Sequence, residues 1–429
     1  MSYSQLRFRI VKPTNFMVYY GAILTILSVQ FPMIKALPEI IKGPITIMGL
    51  LLIYSGLLCS RECRKQAALI IIIASIVNSL YYYKVLYNYL TYYSIMKSSL
   101  QCWSFIGLGL YYSKCGTKEE KKHLGSLFIA LTVITAVTSL LVFQQIPQAV
   151  RSLGNGDTLE SVGVSAQYLY LRNVASWAIL YSAVFLLPTL ICDFKKSKRI
   201  RYIVAVVIIE MFILRSQITF GIIISLVFLL FLLIKAPDAK KTIIFALGAI
   251  VVYFLAQNFL ADIVYGIYNF VSGFSSLEIL KMRTYQVYLL LKTGARTGDV
   301  WGRLNLYEMS IETFLNNIFI GHRVSPGVLY REIGMHSQIF DMLAAIGLVG
   351  FVPTALLFTY DAKTLFDAIE SQIRQNYYIL SFIMLAFLMV LNPIHHCPSI
   401  FCSVFLIPVL YNGQNDELSR ISGTVDIRR

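Results

Sequence analysis

Long apolar runs broken by short polar intervals dominate the chain. Crossing about 30 Å of hydrocarbon takes roughly 20 apolar residues. Runs near 16–34, 44–60, 67–83, 94–112, 124–142, 173–192, 202–215, 218–234, 242–260, 337–359, 377–391 and 400–412 approach or meet that length. The seventh and twelfth are the shortest. The pattern predicts an all-α, polytopic transmembrane bundle of about 12 spans, forming a single integral membrane domain over residues 1–429. Two intervals are too long to be tight turns. One is 143–172, where Gly154-Asn155-Gly156-Asp157 marks a turn. The other is 261–336, a segment of about 75 residues between the ninth and tenth runs. Within it, Leu306, Met309, Phe314, Leu315 and Ile318 recur at helical spacing and predict an amphipathic helix on the membrane surface. The stretch Leu277 to Leu291 is apolar enough to lie partly in the interface.

Composition supports this pattern. Hydrophobic residues make up 57% of the 429 and charged residues only 14%, against about 25% charged in soluble domains; mean hydropathy is +0.68. The first apolar run is too long for the core of a signal peptide and lacks a small-residue cleavage site. The seven cysteines form no recognisable disulfide framework, and His395-His396-Cys397 lacks a fourth ligand at metal-site spacing.

A net charge of +15 would point to nucleic acid in a soluble protein. Here it sorts by the positive-inside rule. With the N-terminus cytoplasmic, the inside segments hold 23 of the 37 Lys and Arg, among them Lys195, Lys196, Lys198 and Arg199. Both termini are then cytoplasmic, and 143–172 and 261–336 are external. Seven of the remaining 14 cations fall in the second external segment: Lys281, Arg283, Lys292, Arg296, Arg303, Arg323 and Arg331. That concentration runs against the usual bias and excludes a passive surface loop as the simplest account.

Candidate chemistry follows from this placement. Arg215 lies in a short exterior turn between two apolar runs, where a guanidinium is costly unless it faces a polar cavity, an anion or the headgroups. Arg283, Arg296 and Arg303 present planar forks that match phosphate oxygens, without the clustered carboxylates a Mg²⁺ site wants. His336 stands where the external segment meets the tenth run, and an imidazole near pKa 6.5 can accept a proton from a sugar hydroxyl. At 100° per residue, Phe340, Leu343, Gly347 and Gly350 continue one helical face below it, which predicts that His336 turns into the bundle. No Walker A, Rossmann, G-x-S-x-G or H-E-x-x-H pattern is present, so a glycosyl donor would have to arrive already activated and membrane-borne.

Three stretches resemble the bacterial O-antigen polymerases and O-antigen ligases (Wzy and WaaL types). Leu214-Arg215-Ser216-Gln217 through Gly221 is similar to the family's Ser-Arg-Gly before an apolar helix, with the Arg-Ser order reversed. Gly302-Arg303 through Gly321-His322-Arg323 is similar to an arginine-opened helix ending in a glycine turn; Arg323 stands where a second glycine is usual, and no proline precedes it. His336-Ser337, followed by Gly347-Leu348-Val349-Gly350, follows the family's histidine and Gly-x-x-Gly helix end.

The resemblance covers about a third of the chain and implies an inverting, metal-independent glycosyltransferase of the inner (plasma) membrane that needs no cofactor. The donor would be an oligosaccharide on undecaprenyl pyrophosphate. His336, Arg303 and Arg215 would be catalytic, and Arg283, Arg296 and Arg323 substrate-binding. A polymerase is preferred, because the chain departs strongly from the family pattern and polymerases diverge more than ligases. Its partners would be the lipid-linked repeat unit and membrane lipids, with a chain-length regulator left open and no nucleic acid. The alternatives are an O-antigen ligase and, in another class, a lipid-linked oligosaccharide flippase.

Overall fold

In the computed structural model, residues 13–85, 89–153, 164–233, 257–274, 277–294, 298–322 and 333–411 are described. Among them every regular element is a helix. In chain order the elements used below are α1 (Pro13–Gln30), α2 (Pro32–Lys35), α3 (Glu39–Cys59), α4 (Arg64–Val85), α5 (Tyr89–Lys114), α6 (Lys118–Phe143), α7 (Ala166–Leu171) and α8 (Trp177–Ser197). They continue as α9 (Ile200–Ser216), α10 (Thr219–Leu233), α11 (Gln257–Ser272), α12 (Glu278–Thr293), α13 (Gly298–Asn316), α14 (Gln338–Asp367), α15 (Gln372–Leu391) and α16 (Pro398–Leu410). A π-helical turn, Cys402–Leu406, interrupts α16.

Among the described residues, α3, α6, α8, α14 and α15 are long and apolar enough to cross a membrane. Each apolar run of the sequence except the ninth coincides with a helix; most of 242–260 lies outside the described residues. Burial sorts these helices into two kinds. In α8 every residue from Ile179 to Asp193 is buried, and in α16 all but Pro408 are. Helices apolar on every side belong in the middle of a bundle. Residues 101–112 of α5 join them there. The surrounding helices instead expose large apolar side chains along their length, including Leu51, Ile72, Leu141, Met211, Leu230 and Leu356 (65% exposed). An apolar exterior of this extent has hydrocarbon as its natural solvent, so this is a membrane protein.

Between helices in lipid the hydrophobic effect is weak, and polar contacts fix the register. Gln30 Nε2 donates to Thr132 Oγ1 (2.7 Å), Ser182 Oγ donates to Gln30 Oε1 (3.3 Å), and Ser403 Oγ donates to the Ser182 carbonyl (2.8 Å). These bonds join α1, α6, α8 and α16. At the opposite end of α8, buried Asp193 pairs with Arg374 of α15, whose guanidinium also donates to the Tyr411 carbonyl.

Most of the described part of the 261–336 segment is helical. α11 and α12 pack side by side, with Tyr265 against Tyr288 (4.8 Å between ring centroids) and Tyr268 against Tyr285 (5.1 Å). α12 also touches α13, and α13 packs on α14. A second apolar cluster, with Val77 and Tyr81 of α4 against Ile333, Met342 and Ala344–Ile346, seats this corner on the bundle.

One helical expectation fails. α14 starts at Gln338, after Ser337 caps it by accepting from Phe340 N (3.2 Å), so His336 lies outside the helix and is exposed. Gly347 then breaks α14 with φ 60° and ψ −167°. His336, Gly347 and Gly350 therefore do not share a helical face, and the buried face begins with Gln338, Asp341 and Met342.

Candidate functional site

The break in α14 admits the turn that ends α13. Leu348 N donates to Ile318 O (2.9 Å), Val349 N to Phe319 O (3.0 Å), and His322 N to Ala344 O (2.8 Å). Backbone groups freed by the break are thus satisfied by the turn. The crossing has no room for side chains: a methyl group on Gly347 would lie 2.4 Å from Phe319 O, and one on Gly321 would lie 2.4 Å from the Ala345 carbonyl. Both glycines also have positive φ, a region other residues seldom adopt.

This clamp holds α13 against the start of α14, and the Gly334–Ser337 loop lies between them. Gly334 sits so close to α13 that a side chain there would strike Leu306 O at 2.0 Å. Asp341, buried in the first turn of α14, organises the loop. Its Oδ1 accepts from Ser310 Oγ (2.7 Å) and Met335 N (3.2 Å), and its Oδ2 accepts from Ser337 N (2.9 Å). Ser310 Oγ in turn accepts from Gly334 N (2.9 Å). Met335 takes φ 55° to complete the bend.

His336 stands at the tip. Its Nδ1 is 3.0 Å from the Gly334 carbonyl. A carbonyl only accepts, so Nδ1 carries the proton and Nε2 of the neutral ring keeps its lone pair. The Asp341 carboxylate lies within electrostatic reach of the ring, where it would stabilise a positive charge formed there. This is an imidazole set to take up a proton at Nε2, with its orientation fixed from behind.

Arg303 is exposed on the second turn of α13 and hydrogen-bonds Tyr307 one turn later. Tyr307 OH donates to Leu391 O (3.0 Å), and its ring packs at 5.9 Å from Phe340. Burial pushes the Tyr307 hydroxyl above its usual pKa while Arg303 opposes that rise, so this phenol stays protonated. Arg303 also reaches the surroundings of Tyr181 on α8. The start of α14 is tied to the 392–397 turn by Gln338, whose Oε1 accepts from His395 N (2.8 Å) and from the His395 ring.

Of the residues proposed from sequence, Arg303 and His336 meet at one corner, joined through Leu306, Gly334 and Ser310. Arg283 is half-buried on α12, which packs against α11 and touches α13. Arg215 occupies the last turn of α9 rather than the turn itself, which is Gln217 with φ 56°; it is exposed, and no described contact joins it to Arg303 or His336. Arg296 and Arg323 lie outside the described residues. Sequence reasoning passed over Asp341, Tyr307 and Gln338. The signal for Asp341 was a lone acid in the first turn of an otherwise apolar helix, four residues after a capping Ser337.

Among the described residues no three His, Cys, Asp or Glu side chains converge as a metal site would require. No family model, no curated protein and no solved structure matches this chain.

Proposed function

We propose that this protein is a membrane-embedded glycosyltransferase that polymerises lipid-linked repeat units at the outer face of a bacterial inner membrane, with about twelve spans and both termini in the cytoplasm. The observation that carries the reading is His336, oriented by Gly334 and Asp341 with Nε2 open, beside the Arg303–Tyr307 turn of α13. The donor is an oligosaccharide on undecaprenyl pyrophosphate and the acceptor a hydroxyl of a second lipid-linked unit. His336 Nε2 takes the hydroxyl proton as the acceptor oxygen bonds to the anomeric carbon. The bond from that carbon to the phosphate oxygen breaks on the opposite face, which inverts the centre. Arg303 faces the charge gained by the departing pyrophosphate, and Tyr307 fixes the direction of the guanidinium. Stabilising charge at the leaving group is commonly the largest catalytic contribution, and the arginine fork suits phosphate.

The test is the glycan ladder from cells whose own copy is replaced by His336→Ala at matched expression. Collapse to single repeat units on their lipid carrier supports the reading. Long lipid-linked chains that fail to reach a surface acceptor would move the same chemistry to a ligase. An unchanged ladder removes His336 as the base, and the glycosyltransferase reading with it.

A further inference from the structure

Tyr181, which feels the charge of Arg303, also borders a basic group that the step above does not use. Lys35 ends the short helix α2, half-buried, with its Nζ 5.8 Å from the ring centroid of Tyr170 on α7. His396 and Cys397 are near enough to feel its charge. Tyr181 in turn lies within electrostatic reach of both Arg303 and Cys397. His396 packs edge-on to Trp177 (6.1 Å), and Trp177 edge-on to Tyr181 (5.9 Å).

What this cluster lacks is an acid. Among the described residues no carboxylate pairs with Lys35, and the nearest acid in its own segment, Glu39, is held by Lys42 at 2.9 Å. His396 Nδ1 is buried with no hydrogen-bond partner among the described residues. Burial depresses the Lys35 ammonium, and Lys42 adds to that, while Cys397 opposes it. A half-buried ammonium beside an unsatisfied imidazole and aromatic rings leaves a site for negative charge that no described residue fills.

We propose that Lys35 and His396 bind one phosphate of a polyprenyl pyrophosphate, opposite the phosphate faced by Arg303. This assignment rests on the function proposed above and adds two residues to its donor site. Lys35 acts as a point charge and His396 as a neutral N–H donor, so the diphosphate is held by cations from both α2 and α13. Ends of the chain more than 250 residues apart would then close on one ligand.

The experiment is equilibrium binding of farnesyl pyrophosphate to the purified full chain in detergent, with farnesol and inorganic pyrophosphate as parallel probes. Wild type is expected to prefer farnesyl pyrophosphate over farnesol. Lys35→Met should weaken that binding at least tenfold, since a charge-assisted contact is lost. Lys35→Arg should stay within about threefold of wild type, because the charge is kept. Inorganic pyrophosphate should compete with farnesyl pyrophosphate in wild type and not in Lys35→Met. Should Lys35→Met fail to fold, His396→Asn carries the same test. Equal affinity in wild type and Lys35→Met overturns the proposal, as does a wild-type protein that binds farnesol as tightly as its pyrophosphate. A Lys35-dependent affinity in a protein whose ladder ignores His336 would keep this anion site and refute only the transfer chemistry.

Discussion

Replacing Asp341 with asparagine isolates the positioning of the base from the base itself. The carboxylate accepts three hydrogen bonds, two at Oδ1 and one at Oδ2, and all three donors belong to the elements that shape the His336 loop. Asparagine keeps the shape but offers one acceptor and one donor. With its oxygen facing Ser310 and Met335, its NH₂ points at Ser337 N–H, so a hydrogen bond becomes a contact between two donors. Such a loss costs about 1–3 kcal/mol. At 1.4 kcal/mol per factor of ten, the equilibrium constant for docking the loop falls about 5- to 150-fold. The lost negative charge near the ring also weakens the imidazolium formed during proton transfer. Transfer rate should therefore fall within or beyond that range, and amide exchange over 334–337 should rise, while the purified protein stays folded and monodisperse. Ser310→Ala removes the bond to Asp341 Oδ1 and leaves Gly334 N without its acceptor, so it should loosen the same loop while keeping the negative charge near the ring. An Asp341→Asn protein with transfer within twofold of wild type and unchanged exchange would refute the view that this carboxylate holds His336.

Gly347→Ala forces a side chain into a backbone crossing at positive φ. Strain of about 1–3 kcal/mol, together with disruption of the three clamp bonds, should lower the unfolding temperature and abolish the ladder, whereas Gly302→Ala, where the added methyl meets nothing within 4 Å, should be silent. Arg374→Met leaves Asp193 buried without its partner and should cost about 3–5 kcal/mol; pairing it with Asp193→Asn should recover much of the loss in a thermal melt. Burial, aided by Lys35, lowers the His396 pKa to about 4. The unfolded chain then takes up a proton first as pH falls through about 6.5, so stability declines from there and levels off near pH 4, by about 3 kcal/mol in all. His396→Phe should flatten that slope, and a slope identical to wild type would count against a neutral buried ring.

The helices were legible because lipid demands long apolar runs, and eleven such runs became helices among the described residues. The interior was harder to read. The run behind α16 is shorter than a span and is broken by a π turn, yet that helix is the most enclosed of the set, because burial in the bundle is set by its neighbours. The candidate site was half legible. His336 and Arg303 were singled out by residue type and by their place in the long polar interval between apolar runs. Asp341 was hidden by its place in an apolar run, and Lys35 by lying about 270 residues from Arg303 in the chain. The predicted face through His336 and Gly347 failed for a definable reason. Helical periodicity assumes an unbroken helix, and Gly347 is where another part of the backbone crosses.

That crossing bears on how the protein is made. Until the turn at 317–322 is docked, α14 carries a break with backbone groups that lipid cannot satisfy. The turn precedes α14 in the chain and so leaves the ribosome first. The tenth apolar run is thus completed by a segment already synthesised, and its insertion should stall or reverse when the turn is deleted, however hydrophobic the run remains.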